Sequence, residues 1–279
     1  MGKLFLVATP IGNLKDITLR ALDTLKKVDL IAAEDTRQSL KLLNYFNIKK
    51  PLMSYHKYNE KDKSELLIEK LKDGKNIALV SDAGTPGISD PGSIIVRKCI
   101  EEGIDFEVLP GATAVTTALV YSGMDTSQFV FIGFLPRENK DKRAFLQGIK
   151  DRSETLIIYE SPHRLMNTLE ILKDVLGNRN IAICRELTKI YEQILRFTIE
   201  ESIKYYLESN IRGEFVLVIE GRDKKELLEE QMEIWINLSV EDHIRMYIEK
   251  GLNKKEAVKK VARDRNISKS QIYKYSINL

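Results

Sequence analysis

The stretch with the most potential chemistry is Ser81-Asp82-Ala83-Gly84-Thr85-Pro86-Gly87-Ile88-Ser89-Asp90-Pro91-Gly92. Gly84 and Gly87 let a backbone come close to a ligand, while Pro86 and Pro91 stiffen it. Asp82 stands just past an apolar run, residues 76–80, that reads as a buried strand. A carboxylate there is placed to meet whatever the loop holds. With two Asp and no Lys, the loop is a poor phosphate cradle and matches neither the P-loop nor the dinucleotide fingerprint. It suits a ligand that offers hydroxyl or ammonium donors. The plainer alternative is a tight connection whose Asp82 bonds its own turn.

The elements around the loop follow from its flanks. A helix is expected over 93–102, with Asp90-Pro91 at its start and Gly103 at the left-handed cap. Strand, long Gly/Pro loop and helix is how open α/β sheets bind ligands, at the C-terminal ends of their strands. The same order recurs through the chain. A strand over 3–8 leads to Thr9-Pro10-Ile11-Gly12-Asn13-Leu14, and Asp16 or Thr18 opens a helix with Leu19, Leu22 and Leu25 on one face. A strand over 29–33 leads to Glu34-Asp35-Thr36-Arg37, and one over 106–109 leads to Pro110-Gly111-Ala112-Thr113-Ala114. Residues 57–63 read as an exposed loop before a helix capped by Ser64.

In the second half, a strand over 155–159 ends in Glu160-Ser161-Pro162-His163-Arg164, and one over 180–184 ends in Arg185-Glu186-Leu187-Thr188-Lys189. Gly213-Glu214 immediately precedes a last strand over 215–220. Lys140 to Arg143 form a basic, mobile segment. Each polar cluster suits acid–base or electrostatic work, but equally a helix cap or an ion pair. For His163 a structural hydrogen bond is at least as good a reading.

The chain has 279 residues, a net charge of +3 and 43% hydrophobic residues, enough for two ordinary domains with real cores. The βα alternation of the first half implies a mostly parallel sheet. Closer strands without helices in the second imply a mixed one. The fold class is therefore α/β: two α/β domains, 1–123 and 124–222, followed by a basic helical tail, 223–279. In the tail, Asn253 with Glu256 forms a capping box, Ser268 opens a last short helix, and the whole has a helix-turn-helix look. Lys254, Lys255, Lys259, Lys260, Arg263, Arg265, Lys269 and Lys274 make it the basic end, either a solvated face or a nucleic-acid contact. Lone, widely spaced Cys99 and Cys184 read as core residues of a reducing cytoplasm. No apolar run approaches a membrane span, no signal peptide is visible, and no cluster has metal-ligand spacing.

Taken together, the motifs from Ala8–Leu14, Ala33–Arg37, Ser81–Gly92 and Pro110–Ala112 through Phe134–Arg137, Tyr159–Arg164, Arg185–Lys189 and Gly213-Glu214 resemble the tetrapyrrole-methylase superfamily. The resemblance is closest to its branch of small-subunit ribosomal RNA 2′-O-methyltransferases, and the basic tail resembles that branch's C-terminal extension. It implies S-adenosyl-L-methionine held in a cleft between two α/β domains. Carried over by position, the cofactor would meet Pro10, Asp82, Ala83, Gly84, Thr85, Thr113, Ala114, Leu187 and Gly213. The implied reaction methylates the ribose 2′-oxygen of a cytidine in 16S ribosomal RNA within the small ribosomal subunit, by a cytoplasmic homodimer without a metal. Asp35, Arg37, Arg185 and Glu186 are the catalytic candidates, with Glu34, His163, Arg164 and Lys189 beside them. Two alternatives stand. One is a ligand-sensing DNA-binding regulator, supported by the tail; the other is methylation of a small molecule or a protein.

Overall fold

A computed structural model describes residues 1–276, the side chains at 228, 230, 231, 233 and 234 excepted. The first sheet contains β1 (Leu4–Val7), β2 (Leu30–Ala33), β3 (Leu52–Ser54), β4 (Ile77–Val80) and β5 (Phe106–Leu109). All pair in parallel, in the order β3-β2-β4-β1-β5. Helices α1 (Leu19–Lys27), α2 (Thr36–Tyr45), α3 (Glu60–Lys72) and α4 (Ser93–Glu101) connect them. Continuous apolar strands such as Ile77–Val80 are buried on both faces, as a parallel sheet requires. Leu67, Leu71, Ile95 and Cys99 of α3 and α4 pack on one face, and Leu25 and Leu43 of α1 and α2 on the other.

The second sheet is mixed, as expected. It contains β6 (Phe129–Phe134), β7 (Thr155–Glu160), β8 (Asn180–Arg185), β9 (Gln193–Thr198) and β10 (Phe215–Ile219), in the order β6-β7-β10-β8-β9. Only β6 and β7 run parallel. Helix α5 (Ala114–Ser122) leaves the first sheet and buries Val115, Ala118 and Leu119 against Ile157, Ala182, Cys184 and Val218 of the second. Helices α6 (Asn139–Ile149), α7 (Leu165–Leu176) and α8 (Ile199–Leu207) cover the other face. Residues 1–150 and 154–220 form one compact unit; 151–153 and 221–279 form another.

Several local expectations change. Helix α3 starts at Glu60, and Ser64 lies buried inside it, 3.0 Å from the Tyr55 hydroxyl. Lys140 to Arg143 lie within α6, where Lys142 is buried and its ammonium donates to Thr168 Oγ1 (2.9 Å) and Asn167 Oδ1 (3.1 Å). A helix, α8, separates β9 from β10, and the Thr198–Glu201 capping box that opens it is a readable signal. Helix α1 turns Ala21 and Leu25 inward and leaves Leu19 in solvent, because the 100° step carries residue 19 off that face. Thr18, not Asp16, caps it.

The second unit has α9 (Lys224–Ile236), α10 (Val240–Glu249), α11 (Lys254–Asp264) and α12 (Lys269–Tyr275). Ile244, Val261 and Ile272 form the centre of its own core. The Asn253–Glu256 and Ser268–Gln271 capping boxes both close.

The turn after β5 shows how tightly the first sheet meets its loops. A Cβ on Gly111 would lie 2.7 Å from Ala8 Cβ, closer than two carbons can sit. Gly111→Ala should therefore cost about 1–3 kcal/mol, read as a lower denaturant midpoint with an unchanged slope.

Candidate active site

Strands β1 and β4 are neighbours, so the loops at their C-terminal ends lie side by side. Thr9 N donates to Gly84 O (2.9 Å), Gly84 N donates back to Thr9 O (3.0 Å), and Thr9 Oγ1 donates to Ser81 O (3.1 Å). Gly84 holds φ +78°, a conformation that favours glycine.

Beside this pair of loops lies a cavity of about 510 Å3. The first sheet contributes Glu34, Asp82, Ala83, Gly84, Thr85, Asp90, Thr113 and Ala114 to its wall, and the second contributes Phe134, Tyr159, Leu187, Phe215 and Val216. The fold thus brings Asp82–Thr85, Thr113, Ala114 and Leu187 together around one space. Pro10 lines an adjoining cavity of about 450 Å3 instead. Gly213 lines neither. It holds φ +90°, and a Cβ there would fall 2.6 Å from Glu186 Cγ, so the space it leaves is filled by the chain itself.

The larger cavity is acidic. Its lining has no Lys or Arg, yet carries Glu34, Asp82 and Asp90 close together. Burial, then the charges of Glu34 and Asp82, push the Asp90 carboxyl up to about 7. Burial and the charge of Asp82 also raise Glu34, against a hydrogen bond from the Asp82 backbone and the nearby His56. Burial raises Asp82 as well, while the Asp35 N–H donated to its Oδ1 (3.0 Å) opposes that. Burial and the charge of Asp90 lift Tyr159 to about 12. Asp90 does not cap α4 as its place before Pro91 suggests. Gly92 holds the cap position without a side-chain bond, and Asp90 faces the cavity.

The catalytic candidates are mostly engaged elsewhere. Asp35 caps α2 and forms a two-point pair with Arg37, Nε to Oδ1 at 3.1 Å and Nη2 to Oδ2 at 2.8 Å. The Arg37 hydrogen bond holds Asp35 down at about 2. Partial burial works against ionisation of Glu186, but the Glu214 N–H and the Lys189 ammonium keep its carboxyl below the usual range. Lys189 Nζ bridges Glu186 Oε1 (3.0 Å) and Glu214 Oε2 (2.8 Å). Arg185 Nε donates to Arg212 O, and Arg164 Nη2 donates to the carbonyls of Leu135 and Pro136. His163 is exposed. Of these residues, Lys189 lines the smaller cavity and its partner Glu214 lines both; of the other candidates, Glu34 lines the larger one. Sequence reasoning missed the aromatic wall, Phe134 and Tyr159, whose edge-to-face contact only the parallel pairing of β6 with β7 creates.

A family model described as Tetrapyrrole (Corrin/Porphyrin) Methylases matches residues 3–202. The ribosomal RNA small subunit methyltransferase I of Bacillus subtilis (strain 168) is 52% identical over 273 residues, 98% of this chain and 93% of the relative. The chain belongs to the tetrapyrrole methylase family, in the branch of the ribosomal RNA small subunit methyltransferases I. That of Thermotoga maritima is 45% identical over 80% of this chain and 100% of its own length, so this relative is complete without a counterpart to the remaining fifth. Among solved structures, diphthine synthase has a TM-score of 0.61 at 15% identity, covering 79% of this chain and 90% of that one. Uroporphyrin-III C-methyl transferase from Thermus thermophilus, complexed with S-adenyl homocysteine, has a TM-score of 0.55 at 18% identity, covering 77% and 97%. Both show the family fold. Among the described residues, no helix is long and apolar enough to cross a membrane.

The raised carboxyl of Asp90 has a measurable sign. The folded state holds this proton more tightly than the unfolded chain does. Its ionisation therefore removes stability as pH rises from about 4 to about 7. Asp90→Asn should flatten that part of the stability–pH curve and raise the melting temperature at pH 8 more than at pH 4.

Proposed function

We propose that this chain transfers a methyl group from S-adenosyl-L-methionine to the ribose 2′-oxygen of a cytidine in 16S ribosomal RNA of the small subunit. The acidic cavity that contains no basic side chain carries the donor half of this reading. A space of about 510 Å3 is within the range of small-molecule sites. Its three close carboxylates favour a cationic ligand, and its Phe134, Tyr159 and Leu187 walls favour an aromatic one. S-adenosyl-L-methionine combines an ammonium, a sulfonium, ribose hydroxyls and an adenine ring, so the residues present fit it.

When bound, the donor supplies a methyl group on a positively charged sulfur, which transfer leaves neutral. Attraction to that sulfur weakens in the transition state, so carboxylates serve best on the ammonium and ribose hydroxyls, whose charge is constant. Asp82 has that role here, held in place by the Asp35 N–H. The Gly84 and Thr85 backbone with Thr113 and Ala114 shapes the same wall beside it, and the apolar side of the second sheet excludes water.

The acceptor half rests on the family branch and on the tail. Lys255, Lys259, Arg263, Lys269 and Lys274 are exposed on α11 and α12. Arg265 is not part of that surface. Its guanidinium lies over Trp235 and donates to His243 Nδ1 and the Leu238 carbonyl, inside the unit. A 2′-hydroxyl acceptor requires RNA, and phosphate contacts supply position and affinity. A regulator would instead bind operator DNA and turn nothing over. A homodimer completes the reading, and Val120, Tyr121, Ile190 and Tyr191 are exposed apolar side chains that it could cover.

Asp82→Ala should weaken S-adenosyl-L-methionine binding by about 1.5–3 kcal/mol in calorimetry. An unchanged affinity would take Asp82 out of the site. Changing Lys255, Lys259, Arg263 and Lys269 together to Gln should leave donor binding intact and lower affinity for small ribosomal subunits. The log–log salt slope should fall by about 0.7–0.9 for each phosphate that is no longer neutralised. If wild-type protein methylates only DNA, protein or a porphyrin precursor, the 2′-oxygen reading fails.

A further inference from the structure

The adjoining cavity of about 450 Å3 sets two cations, Lys41 and Lys189, beside the carboxylates of Asp82 and Glu214, whereas the acidic cavity has no cation. Its outer wall is one stripe of α2: Gln38, Lys41, Leu42 and Tyr45, at positions i, i+3, i+4 and i+7. Of the buried residues of the same helix, Ser39 also reaches the cavity wall, and Leu43 turns into the core. Hence α2 presents an amide, a cation and an aromatic ring along an open cavity, all three reachable from solvent. Tyr45 is 59% exposed, and its contact with Phe46 is edge-on, so the ring is not consumed by the core. Lys41 Nζ donates to Gln38 Oε1 (3.2 Å) and pairs with no carboxylate among the described residues. The floor is Pro10, Gly12 and Leu14 of the loop after β1.

We infer that this cavity receives the acceptor nucleotide, with its base stacked on Tyr45, its base edge read by Gln38 and a flanking phosphate bound by Lys41. The inference rests on the methyltransferase reading of the acidic cavity. Three observations point to a nucleotide. The two cavities share Ile11, Asp82, Ala83 and Glu214, so a ribose at that common wall lies next to the proposed donor space while its base extends over α2. The volume suits one nucleotide and not a duplex, so the target must leave its stack, as in other enzymes that act on single bases. The side chains match the parts of a nucleotide: an aromatic ring stacks on a base, an amide N–H donates to pyrimidine O2 or N3, and an ammonium without a carboxylate partner meets a phosphate. An apolar substrate has no use for this set.

The test uses the full-length protein with labelled S-adenosyl-L-methionine and purified small ribosomal subunits that lack the modification. Tyr45→Ala, Tyr45→Phe and Lys41→Gln are compared for kcat/KM on the particle and for donor affinity by calorimetry. Because Tyr45 and Lys41 are exposed, the variants keep the fold, which melting curves check. Tyr45→Ala should lower kcat/KM about tenfold or more with donor affinity unchanged. Tyr45→Phe should restore most of it, because the ring face is retained. Lys41→Gln should flatten the salt dependence of kcat/KM by the slope of one phosphate. Tyr45→Ala within twofold of wild type overturns the proposal, as does a parallel loss of donor affinity, which would assign α2 to the donor. Equal losses in Tyr45→Ala and Tyr45→Phe overturn stacking. If wild type binds the donor but transfers nothing to RNA, the functional reading itself fails and the nucleotide assignment falls with it.

Discussion

The two backbone hydrogen bonds exchanged by Thr9 and Gly84 are the constraint on which the site depends. They add a contact between the loops two residues past β1 and four past β4, as an isolated antiparallel bridge beyond the end of a parallel ladder. Parallel strands emerge in the same direction, so their loops would ordinarily diverge toward their own helices. The bridge holds both loops over the sheet edge, and only a residue tolerating φ +78° can make that turn at position 84. Asp82 and Ala83 are then fixed between two cavities, facing both.

The second sheet is held against these loops by contacts of unusual closeness. A Cβ on Gly12 would meet Lys189 Cγ at 2.5 Å and Thr188 Oγ1 at 2.7 Å, and Asn13 N donates to Thr188 Oγ1. On the far side, Glu186 and Thr188 both take left-handed backbone, at φ +51° and φ +64°. Two such non-glycine residues within three positions cost free energy, which the Glu186–Lys189–Glu214 bridge and the Glu186–Glu214 backbone bonds offset. Residues that look catalytic by type are thus the brace that positions Leu187 in the cavity wall.

The sequence makes the fold legible because its strands are short, apolar and separated by punctuating Gly, Pro and polar clusters. Both sheets, their parallel and mixed characters, and the capped tail helices can be read from those signals. What cannot be read is the identity of each partner. Asp35, Glu186 and Arg185 have the types and places of catalytic groups, but whether a carboxylate caps a helix or faces a ligand depends on which N–H or cation lies within about 3 Å. Asp90 shows the converse. Before a proline it reads as a cap, but the left-handed Ser89 at φ +65° and Gly92 at φ +149° turn it away from the helix and toward Glu34 and Asp82. Gly213 reads as a cofactor contact, whereas its missing Cβ makes room for Glu186.

The division of charge between the two cavities has a consequence for catalysis. A single acidic space would draw cations but repel RNA, whose phosphates carry the same sign as Asp82, Asp90 and Glu34. Separating the functions by one shared wall removes the conflict. Glu34 and Asp90 line only the larger cavity, while Lys41 and Lys189 line only the smaller one, proposed for the acceptor. At a few ångströms in a partly desolvated site, like-charge repulsion reaches several kcal/mol, enough to decide which face a phosphate approaches. Of the two carboxylates on both walls, Glu214 is paired with Lys189, and Asp82 is the exception. Its charge is the one most in need of a partner, and the Asp35 N–H and the nearby Arg37 charge supply that from the α2 side. Asp35 and Arg37 therefore act on the site without lining either cavity. Asp35 caps α2, the helix proposed to bind the acceptor, and its N–H, with the Arg37 charge, favours the ionised form of Asp82 against the repulsion of the Asp35 carboxylate.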